Sequence, residues 1–157
     1  MKKIEELFKK AESLWVPGNK TKDYIKIANI YSEIYSIDPH YHNILERRAD
    51  AWYHGKEYDK AIDDLNNCLK NQPDSYRYIW RRAQIEYDKG DLRAALGSCS
   101  KYLARNEDNY YTRELRAQIY RKMGCIKEAE TDEVIVKKQK ADEQIKLDDP
   151  NHKYHLM

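Results

Sequence analysis

Three arginines, Arg48, Arg82 and Arg116, recur at a spacing of 34 residues. A ladder of guanidiniums could grip phosphates or carboxylates, because the planar fork binds such anions through two parallel hydrogen bonds. Two of the three have a nearer partner. Asp64 stands sixteen residues after Arg48 and Asp132 sixteen after Arg116, while Ser98 takes that place after Arg82. Ion pairs inside the chain are therefore expected for Arg48 and Arg116, with their stems covering core atoms, and Arg82 needs a different partner. His40, His42 and His54 form a second set, with Cys68, Cys99 and Cys125 more widely spread. Zinc requires about four groups converging tetrahedrally. His40 and His42 precede the helix that His54 ends, and no cysteine matches their spacing, so no metal site is expected. Cys68 and Cys99 fall in apolar helical phases, where a thiol packs as a small hydrophobe. Cysteines without a Cys-x-x-Cys pair suggest reduced thiols and a cytoplasmic protein. No Gly-rich phosphate loop, nucleophile elbow or His-Glu-x-x-His occurs. The sequence thus offers no catalytic residue and no cofactor site, and a non-enzymatic role is expected.

The elements that carry these residues follow from composition. The chain has 157 residues, 36% of them charged and 41% hydrophobic, with a net charge of +2 and only 5 Gly and 4 Pro. Such a chain makes helices rather than the many turns of an all-β fold, and one domain over residues 1–148 is expected. The mean hydropathy of −1.02 is low, but 14 Tyr and 3 Trp supply apolar area that a hydropathy scale undercounts. No apolar run approaches the ~18 residues of a membrane span. The segment MKKIEELFKK opens a helix and lacks the apolar block of a secretory signal. The near-neutral balance and interleaved acids speak against nucleic acid as a partner.

A period of 34 residues organises the whole chain. Ala49, Ala83 and Ala117 share one phase, Ala61, Ala95 and Ala129 another, Pro39 and Pro73 a third, and Gly55, Gly90 and Gly124 agree within one residue. Such periods indicate stacked units. In residues 42–75, Leu45, Ala49 and Trp52 give helix A an apolar stripe, and Ala61, Leu65, Cys68 and Leu69 give helix B another. Gly55 and Lys56 break the chain between them, and Pro73 ends helix B. The paired alanines are where two antiparallel helices can approach closely.

The repeat length, the paired alanines, the mid-repeat glycine and the closing proline resemble the tetratricopeptide repeat family. The resemblance covers about residues 4–140, as repeats 4–41, 42–75, 76–109 and 110–140. The first helix fits only if the stretch WVPGNKTK carries about four extra loop residues. The resemblance implies an all-α fold, a right-handed α-solenoid of antiparallel helix pairs, with a C-terminal capping helix continuing through KKQKADEQIKL and a flexible tail at 149–157. It also implies that the A helices line a concave surface that binds a protein or peptide. By phase that surface has Asn43, Glu46, Arg47, Asp50 and Tyr53 in the second repeat. The third gives Arg77, Trp80, Arg81, Gln84 and Tyr87, and the fourth Tyr111, Glu114, Gln118, Arg121 and Lys122.

The best candidates for partner contact are Arg47, Tyr53, Arg77, Trp80, Arg81, Gln84, Tyr87, Gln118 and Arg121. An exposed Trp80 between Arg77 and Arg81 has the composition of an interface hot spot. Residues 76–125 hold eleven Lys or Arg against six Asp or Glu, so an acidic partner, or one offering a C-terminal carboxylate, is expected. The clamp by which some family members hold chaperone C-termini uses Lys, Asn, Asn, Lys and Arg. Here only Arg77 and Arg81 match, with Phe8, Glu12 and Arg47 at the earlier positions, so a co-chaperone role rests on an incomplete clamp. Self-association, through an exposed apolar end of the first repeat or through Val134 and the helix beyond it, is the alternative. A homo-oligomer would follow.

Overall fold

The structure is a computed structural model and describes residues 1–148; the expected tail at 149–157 lies outside the described residues. The described residues form eight α-helices and no strand. They divide into an N-terminal body, residues 1–89, and a C-terminal body from residue 90 onward.

The N-terminal body holds α1 (Lys2–Leu14), α2 (Thr21–Ile37), α3 (Ile44–His54), α4 (Tyr58–Asn71) and α5 (Tyr76–Lys89), each packed on the next. Ile27, Tyr31, Ile34, Ile44, Leu65 and Ile85 are fully buried. Ala49, Ala61 and Ala83 have essentially no exposed surface, as close helix approach requires. Ala11 is equally buried and plays the same part in α1. It precedes Ala49 by 38 residues, so the first repeat does carry the four additional loop residues. Gly55 closes α3 without left-handed geometry, which Lys56 takes instead at φ 58°. The glycine is needed for space: a Cβ there would lie 3.0 Å from Cγ1 of Ile25.

The C-terminal body holds α6 (Leu92–Leu103), α7 (Tyr110–Met123) and α8 (Ile126–Asp148), again packed in sequence. The side chains of Asp91 and Asn109 accept the backbone N–H of Ala94 and Thr112 and so cap α6 and α7. Gly124, at φ +80°, makes the left-handed turn into α8. The expected capping segment is the continuation of α8 itself, a single 23-residue helix. Where α4 has Ile62, Leu65 and Leu69 and α6 has Leu96, Cys99 and Leu103, α8 has Glu130, Glu133 and Lys137. A helix face so charged is built to meet water.

The arginine ladder is structural. Arg48 donates to both oxygens of Asp64 at 2.6 and 2.8 Å, and also to Ser32 Oγ at 3.3 Å. Arg116 holds both oxygens of Asp132 at 2.7 and 2.8 Å, and Arg113 reaches the same carboxylate at 3.1 Å. Arg82, which lacks the acid of its own repeat, donates to Asn66 at 2.8 Å and approaches Glu86 at 3.7 Å. The hydrogen bonds from the guanidiniums of Arg48 and Arg116 push their pKa values upward.

Candidate protein-interaction face

The A helices of the N-terminal body, α1, α3 and α5, present one side chain per turn to a common face. Arg47 donates to Glu12 at 3.1 Å and lies 5.0 Å from the ring centre of Phe8. Arg77 donates to Glu46 at 2.6 Å and stacks 5.2 Å from the ring of Tyr78. Arg81 makes two bonds to Asp50, at 2.7 and 3.0 Å, and covers the ring of Tyr53 at 4.8 Å. Tyr53 donates to Asp88 at 2.6 Å, and Gln84 donates to the same carboxylate at 3.4 Å. That hydrogen bond, with burial, pushes the Tyr53 phenol up to about 12. Tyr31 donates to Glu12 at 2.6 Å from below, and burial raises its pKa well above the usual phenol range.

The face is therefore a mesh of pairs between successive A helices. Of the expected contact residues, Arg47, Tyr53, Arg77, Arg81 and Gln84 meet in it. Trp80 and Tyr87 lie on the same helix and are half-buried, so the exposed Trp80 expected from sequence is corrected. Two of the arginines behind the expected surplus of positive charge, Arg77 and Arg81, are paired within the chain. Each groove arginine of this body already holds a carboxylate of the chain itself. The carboxylates sit on the preceding A helix, where Glu46 precedes Arg77 and Asp50 precedes Arg81 by 31 residues. Charge complementarity at one repeat less three residues was the signal that would have revealed them. Phe8, Glu12 and Trp15 also belong to the face: Glu12, Trp15, Tyr31, Arg47 and Asp50 line a cleft of about 230 Å³.

The histidines do not converge. His42 stacks on Phe8 and Tyr41, whereas His54 packs against Trp15, Tyr24 and Tyr53. Burial and the nearby Arg81 depress the His54 pKa. No group of His, Cys, Asp or Glu among the described residues has metal-binding geometry. The three cysteines are free, and burial lifts the Cys68 thiol to about 11, which makes it a packing residue rather than a nucleophile.

In the C-terminal body, Gln118 and Arg121 are exposed on α7. Arg121 makes two bonds to Glu133 at 2.5 and 2.7 Å, which hold the Glu133 carboxyl below the usual range. Gln118 lines a cleft of about 430 Å³ with Glu114, Ala117, Glu133, Val136, Lys137 and Lys140.

No protein-family model matches the chain. Solved structures of MamA do match it in fold. One MamA structure aligns over 90% of this chain and 75% of its own with a TM-score of 0.73 at 13% identity. A double mutant of MamA RS-1 aligns over 89% and 76% with a TM-score of 0.73 at 14% identity. A further MamA structure covers 90% and 88% with a TM-score of 0.65 at 12% identity. MamA is a TPR-like all-helical protein. The chain has that TPR-like repeat fold, and at such identities the likeness is one of fold alone.

Proposed function

We propose that the chain is a non-enzymatic protein-interaction scaffold of four TPR-like repeats, whose A-helix face holds a peptide or helix of a partner protein. The observation that supports this reading is the face itself. Paired arginines and half-buried aromatics stand in fixed geometry on three helices. A receptor so organised loses little ordering entropy on binding. Because the guanidiniums are already paired, the partner is recognised by stacking and by exchange of hydrogen bonds more than by net charge. This argues against the chaperone-type carboxylate clamp, since Arg77 and Arg81 each hold an acid of α3. The free thiols are consistent with a cytoplasmic setting. No helix among the described residues is long and apolar enough to cross a membrane.

The test is affinity capture from a cell extract with mass spectrometry. Trp80→Ala combined with Arg77→Ala is expected to lose the captured partner while helicity and Tm stay close to the parent. Lys101→Ala, exposed on α6, serves as control. Equal recovery by the double variant and the control would reject the face.

Self-association is the second reading, favoured by Val134 at 70% and Ile145 at 68% exposure on α8. It is expected to show as a mass that rises with concentration in light scattering and returns to the monomer with Val134→Glu. The expected route through the first repeat has Leu14, Trp15 and Val16 exposed at the end of α1 but a polar outer side on that helix. The outward positions of α1 that correspond to Ile44 and Ala51 of α3 are Glu6 and Ser13.

A further inference from the structure

We propose that the cleft between α7 and α8 is a second docking site, for an amphipathic helix of a partner that presents an arginine followed by an aromatic residue. The chain supplies its own template. In the N-terminal body α3 carries Glu46, Ala49 and Asp50, and α5 packs on α4, which carries Cys68. Tyr78 of α5 is buried there, lines a small pocket with Cys68 and Glu46, and approaches Glu46 at 3.3 Å. Arg77 and Arg81 of the same helix hold Glu46 and Asp50.

Two repeats later the same phases carry Glu114, Ala117, Gln118 and Val136. These residues line the 430 Å³ cleft of the C-terminal body, and no further helix among the described residues of that body covers it. Glu114 keeps the acid of Glu46 and Val136 puts an apolar side chain at the phase of Cys68, while Glu133 stands where α4 has Leu65. Gln118 keeps an acceptor oxygen where Asp50 accepts from Arg81. Lys137 and Lys140 replace Leu69 and Gln72 at the margin, giving an apolar centre with a polar rim, the anatomy of a reversible interface. Lys140 lies over the cleft on Glu114 at 2.9 Å. Both partners are nearly half exposed, so the pair is weak and an incoming arginine can displace it.

This inference rests on the scaffold reading in requiring a partner and in using Glu114 and Gln118, which the sequence also places on the A-helix surface. The probe is a synthetic peptide of residues 75–90, which spans α5, added to the full-length chain and followed by methyl NMR. Shifts are expected at Ala117 and Val136. Glu114→Lys is expected to weaken binding about tenfold or more, and a peptide with Arg77→Glu is expected to regain affinity for that variant. Lys140→Ala, which removes the competitor, is expected to tighten binding. Both substitutions lie on the surface and leave the core intact. Failure of the peptide to shift Ala117 and Val136, or indifference to Glu114→Lys, would overturn the site. So would a self-dimer abolished by Glu114→Lys, because the occupant would then be a second copy. Trp80→Ala is expected to leave peptide binding unchanged, which separates this outcome from failure of the A-helix face.

Discussion

The side chain of Asp64 is 5% exposed and that of Arg48 15%, and together they make a bidentate pair in the middle of the N-terminal body. Such a pair adds little net stability over apolar residues, yet breaking it from one side strands a buried charge. Asp64→Ala is therefore expected to lose about 3–5 kcal/mol in urea unfolding. Removing both partners should cost less than Asp64→Ala alone, and an equal or larger loss would show that the guanidinium finds water. Arg47→Ala, from a pair whose side chains are 42% and 43% exposed, should cost below about 1 kcal/mol. The buried pairs were legible in the sequence because both partners lie in one repeat at a constant spacing of sixteen. The pairs of Arg77 and Arg81 were not, because their acids belong to the preceding repeat. Read alone, the helix bearing those arginines looked like free positive charge.

At the scale of the element, the alanine phases located the helices of the second to fourth repeats, whereas the first pair, with Ile27 in place of the second alanine, was placed only by allowing four extra loop residues. The role of Gly55 was not visible. Sequence marked it as a break, whereas its backbone is ordinary and the neighbouring Ile25 side chain is what a Cβ would crowd. Gly55→Ala is accordingly expected to lower stability by about 1–3 kcal/mol, the usual penalty of overpacking, measured as a lower melting temperature by circular dichroism. A change near zero would mean that α2 shifts to make room. The entry to α3 is costly in another way. His42 and Asn43 both take positive φ, at 43° and 54°, a conformation that β-carbons disfavour. Histidine and asparagine are among the side chains that tolerate it best, so the residue types there were the available signal.

The whole molecule is nearly neutral, and so is each of its parts. Residues 1–89 hold sixteen Lys or Arg against fifteen Asp or Glu, and the remainder thirteen against twelve. Local counting over residues 76–125 suggested a basic surface, but that window excludes Glu46 and Asp50, the acids that neutralise two of its arginines. With little net field to steer an encounter, association should be slow to change with ionic strength. Raising salt from 0.1 to 0.5 M, through about a twofold change in screening length, is expected to leave partner capture within a few-fold of its starting level. Steep loss would restore the acidic-partner expectation.

Arg48 touches Ser32 on α2 and Asp64 on α4 while itself belonging to α3. Three neighbouring helices are thus riveted through one guanidinium. Fraying that began at α2 would slacken the same rivet that holds α4, so this part of the chain cannot shed one hairpin and keep the rest. A protease would meet it either whole or open across all three helices, with few half-unravelled forms for cleavage or aggregation to seize.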